Sequence, residues 1–155
     1  MNISTKTGDN GTSALPDGRR LPKDHPRFEV LGTLDELNAF LGDARIIAKK
    51  ENAEIIFHVQ KSIIKLSGYI ASSAAANMDV EQLEKWITER DNPPKNFVIP
   101  GSNNIQVKLH IARTVCRRAE RCLAGLHRLE KVDESFLIYM NRLSDLLFLL
   151  AQEEE

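Results

Sequence analysis

Two cysteines are the whole thiol complement of this chain, and they do not staple it. Cys116 and Cys122 stand six apart within one predicted helix, where their side chains point to different sides, so geometry disfavours a disulfide between them. Reduced, cytoplasmic conditions fit. Long apolar runs are missing as well: no stretch of about eighteen apolar residues occurs, and the N-terminus has no apolar secretory core, so neither membrane spanning nor secretion is expected. There is no excess of one charge. The 21 Lys and Arg against 22 Asp and Glu leave a net charge of −1, which excludes nucleic-acid or membrane-surface binding driven by bulk electrostatics. Strand-like alternation and internal repeats are absent too. What remains is a chain of 155 residues, one domain by length and large enough to bury a core without disulfides or metal.

Helical periodicity fills most of it. From Ile105 to Leu126, apolar residues fall at Ile105, Leu109, Ala112, Cys116, Ala119, Leu123 and Leu126, one buried face of an amphipathic helix that Ser102 or Asn103 can cap. Beside that face runs a second stripe of Arg113, Arg117 and Glu120, with Arg118 and Arg121 on neighbouring faces. A first helix is expected over Arg27 to Ala48 on a stripe of Leu34, Leu37, Leu41, Ala44 and Ala48. Thr33 and Glu36 also match a capping box, and pattern alone favours the helix starting there, with Asp35 merely a first-turn acid. A second helix spans Asn52 to about Ala75. A short third, Glu81 to Glu89, is capped near Asp79, and a fifth runs from about Glu134 to Gln152 with Asn141, Asp145 and Phe148 beside its core stripe. Between the third and fourth helices, Phe97, Val98 and Ile99 read as an apolar loop run that touches protein or ligand, usually as a core anchor. The closing Glu-Glu-Glu reads as a solvated, frayed end.

Residues 1 to 26 differ in kind, holding three of the eight glycines and three of the six prolines. Regular structure is not expected there, and the segment is either disordered or a functional loop. TKTGDNGT and GRRLPK combine glycine backbone, hydroxyls and the bases Lys6, Arg19, Arg20 and Lys23, a set able to wrap phosphate, although the GxxxxGK[ST] loop is absent. The architecture reads as all-α: a bundle of five helices, four long and one short, behind an irregular N-terminal arm. Polar stripes beside the core stripes suggest that bundles pack on copies of themselves, with sites between them.

Several chemistries fail on residue spacing. No histidine follows a glutamate in the Glu-x-x-His pattern of carboxylate-bridged iron, and neither a zinc pattern nor a hydrolase nucleophile signature occurs. Anion recognition is left: a Gly/Thr/Lys arm, an Arg/Arg/Glu stripe and an Asn/Asp stripe. Guanidinium suits phosphate oxygens through two parallel hydrogen bonds, and a polyphosphate would bring Mg²⁺ with it.

The ordered motifs TKTGDNGT (Thr5 to Thr12), Gly18-Arg19 with Lys23, GTLDELNAFLG (Gly32 to Gly42), Gln60 with Gly68, FVIPG (Phe97 to Gly101), LHIARTVCRRAER (Leu109 to Arg121) and YMNRLSDLLFLLA (Tyr139 to Ala151) span nearly the whole chain. Together they resemble the PduO-type ATP:cob(I)alamin adenosyltransferases. The resemblance implies a homotrimer of five-helix bundles with active sites between adjacent subunits. It further implies transfer of the 5′-deoxyadenosyl group of ATP to the cobalt of cob(I)alamin, giving adenosylcobalamin and triphosphate. Thr5, Lys6, Thr7, Gly8, Asp9, Gly11, Thr12, Ser13, Arg19 and Lys23 would then wrap ATP, while Arg117, Glu120, Arg121 and Asn141 face the nucleotide, with Glu120 on its Mg²⁺. Asp35 and Arg113 would form a salt bridge on the corrinoid side, and Phe97 would close the lower face of the corrin ring. A reductase for cobalt and an adenosylcobalamin-dependent acceptor enzyme are implied as partners. The chain carries Pro100-Gly101-Ser102 where many relatives carry Pro-Gly-Gly, and SALPD at Ser13 to Asp17 departs from the usual version of that segment. Two further readings stand beside the enzyme: a nucleotide- or corrinoid-binding carrier or sensor without transfer, and a helical oligomerisation module with solvated arginines.

Overall fold

The computed structural model describes residues 4–74, 76–90, 92, 94 and 96–154. Five helices follow a small hairpin: β1 (Thr12–Ala14), β2 (Arg20–Pro22), α1 (Pro26–Arg45), α2 (Lys50–Ser72), α3 (Val80–Glu89), α4 (Asn104–Leu129) and α5 (Glu134–Glu153). α1 packs on both α2 and α4, α4 packs on α5, and the short α3 lies against α5. The α4 stripe from Ile105 to Leu126 is buried throughout, and Leu34, Leu37, Leu41 and Ala44 of α1 meet it in one core with Ile56, Val59, Ile63, Leu66 and Ile70 of α2. Phe136, Met140, Leu143, Leu147 and Leu150 complete that core from α5. Among the described residues no helix is long and apolar enough to cross a membrane.

The caps explain most of the boundaries. α1 starts at Pro26, not at Thr33: His25 accepts from the Arg27 N–H at 3.2 Å, and proline suits the first helical position because its missing N–H has no partner there anyway. The Thr33 hydroxyl instead donates to the Glu29 carbonyl at 2.7 Å, inside the helix, so Asp35 is a mid-helix acid and not a first-turn one. Asp79, Asn103 and Asp133 cap α3, α4 and α5. α2 ends at Ser72, and its expected end at Ala75 lies outside the described residues.

Two expectations are overturned. The arm is not wholly irregular: within it β1 and β2, three residues each, pair antiparallel with Ser13 opposite Leu21, too short for alternation to betray them. Nor does the described part of the acidic end fray. Glu154 is buried, and its carboxylate accepts from the Lys49 N–H and the Asn52 side-chain amide, both at 2.9 Å. Glu153 pairs with Arg90 at 3.1 Å. Those partners lie far away in sequence, where local composition carries no signal of them.

Candidate functional site

The α4 and α5 stripes meet. The Asn141 side-chain amide on α5 donates to Glu120 Oε1 on α4 at 3.2 Å, and Arg142 donates to Asn141 Oδ1 at 3.2 Å while its Nε donates to Glu84 at 3.0 Å. A turn further along, the Arg113 guanidinium lies 5.9 Å from the centre of the Phe148 ring, with its Nε buried and without a hydrogen-bond partner. Between them, Arg117 and Arg121 are exposed and make no ion pair with any described residue. Arg118, the neighbour pointing the other way, is tied to Glu36 of α1. Beneath the flank sits the Cys116 thiol, pushed up by burial and by the nearby Glu120 carboxylate, which makes it unreactive. Seven residues from Arg113 to Glu120 span about 10 Å along a helix, the scale of a polyphosphate chain.

The arm builds a second group. Arg20 closes it: its guanidinium donates to the Thr7 carbonyl at 2.5 Å and to the Thr12 hydroxyl at 2.8 Å. Lys23 donates its N–H to the Gly11 carbonyl at 2.9 Å, and its ammonium lies over Gly8. A Cβ at Gly8 would stand 3.2 Å from the Thr12 carbonyl oxygen and 3.4 Å from Lys23 Nζ, so this close backbone approach favours glycine. The Thr5 and Thr7 hydroxyls are 2.9 Å apart, and Asn10 accepts from the Thr12 N–H and hydroxyl. Lys6, Thr7, Gly8, Gly11, Thr12 and Lys23 thus gather on one loop, with Asp9 exposed and Ser13 in the strand behind it. Arg19 is turned away: it pairs with Asp17 at 2.6 Å and reaches the Ser73 hydroxyl. The Arg19 N–H and side chain hold the Asp17 carboxyl below its usual range. Arg20, expected from the sequence as one of the phosphate-wrapping bases, and Asn10 of the TKTGDNGT motif instead order the loop from within.

The remaining predicted residues lie apart. Asp35 is exposed on a groove of about 490 Å³ between α1 and α2, lined also by Gly32, Asn38, Ile63 and Ile64. Arg113 faces α5, so no Asp35–Arg113 salt bridge forms within the chain, and the expected buried pair is absent from it. The arm, too, is fastened elsewhere, through Arg19 to the end of α2, and no hydrogen bond or ion pair among the described residues joins it to Arg117, Glu120 or Asn141. Phe97 is fully exposed and Ile99 is 87 % exposed, so the apolar loop run does not anchor in the core of its own chain. For metal, no three His, Cys, Asp or Glu side chains gather among the described residues. Glu120 is a single half-buried carboxylate flanked by arginines, a donor fitting a Mg²⁺ whose other ligands are phosphate oxygens and water.

A helical bundle with free arginines along one flank and a lysine–threonine loop at one end defines an anion-binding protein with the parts of its site held separately. Residues 3–154 match the family model for cobalamin adenosyltransferase, and the chain belongs to that family. The corrinoid adenosyltransferase PduO of Citrobacter freundii is 38 % identical over 168 residues, covering 100 % of this chain and 50 % of that protein. The chain therefore spans about half the length of that relative. A cobalamin adenosyltransferase of Cupriavidus metallidurans is 36 % identical over 97 % of this chain and 86 % of its own length. The fold matches a variant PduO-type ATP:corrinoid adenosyltransferase from Lactobacillus reuteri complexed with cobalamin and ATP, with a TM-score of 0.89 at 28 % identity over 97 % of this chain and 91 % of that one.

Proposed function

We propose that the chain is an ATP:corrinoid adenosyltransferase, forming adenosylcobalamin from cob(I)alamin and ATP with release of triphosphate. The observation that carries this reading is the row of exposed, unpaired arginines, Arg117 and Arg121, beside the Glu120–Asn141 pair. Elsewhere in the molecule, arginines brought together with acids are neutralised by them; here the charge is left for a ligand. Cobalt in the +1 state is already a strong nucleophile. It attacks C5′ of ATP, the cobalt–carbon bond forms as the C5′–oxygen bond breaks, and the electron pair leaves on triphosphate. The protein's tasks are alignment and stabilisation of the departing charge. Arg117 and Arg121 donate to the phosphates, Asn141 orients the nucleotide through its bond to Glu120, and Lys6, Thr7, Gly8, Gly11, Thr12 and Lys23 wrap the chain from the arm side. Mg²⁺, held by Glu120 together with phosphate oxygens, would neutralise part of the triphosphate charge.

The separation of the parts supports an assembly in which one copy's arm meets another copy's α4–α5 flank, and we read the molecule as a homotrimer. In the same way Asp35, on the α1–α2 groove, pairs across copies with Arg113, whose buried Nε has no hydrogen-bond partner among the described residues. That pairing shapes the corrinoid side, and Phe97, which projects from the surface, closes the lower face of the corrin and excludes a lower axial ligand of cobalt. The arm (1–26) and bundle (27–152) act as one domain. The two free cysteines favour a reducing, cytoplasmic setting, where a reductase supplies cob(I)alamin and an adenosylcobalamin-dependent enzyme takes the product.

The test is a spectrophotometric assay with cob(I)alamin, ATP and Mg²⁺, following the absorbance change to adenosylcobalamin together with triphosphate release. Stoichiometric product supports the enzyme. A folded oligomer that binds both ligands without alkylating cobalt would select the carrier instead.

A further inference from the structure

Gln106 is the third residue of α4 and has no exposed surface. A buried amide must have its polar atoms satisfied, and this one satisfies them on the loop that carries Phe97. Gln106 Oε1 accepts from the N–H of Gly101 at 2.8 Å and of Ser102 at 3.0 Å, and its Nε2 donates to the Ser102 hydroxyl at 3.2 Å. Two consecutive backbone N–H groups converging on one oxygen form an anion-type nest, here filled by the chain's own side chain. Gly101 has φ +144°, a conformation that glycine adopts and other residues avoid, so the turn is sharp at the anchored point. Ser102 has no such requirement, and its hydroxyl is one of the groups that Gln106 engages.

The anchor is braced from behind. The Gln106 N–H donates to Asn103 Oδ1 at 2.9 Å, and the Asn103 amide donates to the Glu154 carbonyl at 2.6 Å. Glu154 in turn takes the Lys49 N–H and the Asn52 amide. A continuous run of hydrogen bonds therefore links the start of α2 and the last turn of α5 to the base of the loop. Four residues away from that base, Phe97 makes no packing contact that would bury it.

We propose that Gln106 is a positioning residue for the corrinoid step: by filling the Gly101–Ser102 turn it holds Phe97 at the cobalt-facing edge of the site. This rests on the reading of Phe97 as the corrin-facing residue. The test is a double-mutant cycle of Gln106→Met, which keeps the volume and removes both polar functions, with Phe97→Ala, measuring kcat and the separate KM values for cob(I)alamin and ATP. Gln106→Met should lower kcat/KM for the corrinoid roughly three- to tenfold, the scale of one net hydrogen bond, with KM for ATP unchanged. Gln106→Glu, which keeps the acceptor, should restore most of the loss. In the Phe97→Ala background, Gln106→Met should cost almost nothing more. The same loss in both backgrounds, a change confined to ATP, or full activity of Gln106→Met would overturn the proposal. Wild-type activity of Phe97→Ala would instead overturn the reading of Phe97 itself. Should Gln106→Met not fold, Ser102→Ala in the same cycle removes the hydroxyl that Gln106 engages without freeing the backbone and should give a smaller loss of the same Phe97-dependent kind; an equal loss in both backgrounds counts against the positioning role.

Discussion

Arginines at the ends of this bundle and arginines on the α4–α5 flank live in opposite electrostatic conditions. At one end Arg27 is 4 % exposed and meets the Ile70 carbonyl, the Ser73 hydroxyl and Glu130, which also lies 3.4 Å from His25. At the other, Arg90 joins Glu51 of α2 to Glu153 of α5 at 2.9 and 3.1 Å. On the flank, Arg117 and Arg121 are solvated and unpaired, and Arg113 rests against an aromatic ring. Paired guanidinium groups fasten helices; Arg117 and Arg121, beside the Glu120–Asn141 pair, fasten nothing among the described residues, and on the proposed reading their charge meets the ligand. The difference lies in the partners, since residue type is the same.

The sharpest way to break this contrast is Arg117→Ala. A cation acting on charge that develops in the transition state is worth about 3–4 kcal/mol, so adenosyl transfer should fall roughly 100- to 1,000-fold. Thermal stability should hardly move, because the side chain has no ion-pair partner among the described residues to lose. A large drop in melting temperature with proportionate activity would make Arg117 another structural arginine.

Glu130→Ala probes the paired end. It strands the buried Arg27 guanidinium, and removing one partner of a buried pair costs about 3–5 kcal/mol, toward the lower limit here because Arg27 keeps Ile70 and Ser73. Denaturant unfolding should show the loss. The arm is fastened to the same end of α2 through Arg19 and Ser73, so the affinity for ATP should weaken with it while purified, folded enzyme keeps its corrinoid affinity. Unchanged stability would mean that Arg27 is solvated in solution.

Periodicity made most of this fold legible, because core stripes repeat locally: every apolar position assigned to α4 from Ile105 to Leu126 is buried. Motif content made the family legible in the same way. What sequence did not disclose was pairing across long separations. Arg20 and Arg117 look alike as letters, yet one clamps Thr7 and Thr12 and the other faces water. Glu154 sits in an acidic tail but is buried by partners about fifty and a hundred residues away, among them Asn103 and Lys49. Asp35 and Arg113 stand out in the sequence only through their motifs, and which surface each occupies depends on how α1 and α4 are rotated in the bundle, which a stripe alone does not fix.

Phe97→Ala extends the contrast to apolar groups. A core aromatic truncated to alanine costs about 3–5 kcal/mol of stability, whereas fully exposed Phe97 should cost nearly none. Its effect should appear as a loss of roughly tenfold or more in corrinoid kcat/KM, the size expected for one buried aromatic contact with a ligand. A destabilised Phe97→Ala chain would place the loop back among the packing elements.

The smallest expected effect concerns acid. Asp133 caps α5, and the Ser135 side chain and N–H, the latter at 2.9 Å, hold its carboxyl below the ordinary value of 3.8. Asp17 is shifted in the same direction by Arg19, first through the backbone N–H. A depressed carboxyl binds its proton later in the folded chain than in the unfolded one. Its stabilisation is therefore complete above pH 3.8 and is lost as pH falls through the folded value. Both groups are largely solvated, so water and salt weaken the contribution of each. Asp133→Asn keeps a good helix cap while removing the titration, so melting at pH 7 should change little and the acid limb below pH 3.8 should flatten slightly. An acid limb unchanged by Asp133→Asn would assign that loss to other carboxylates.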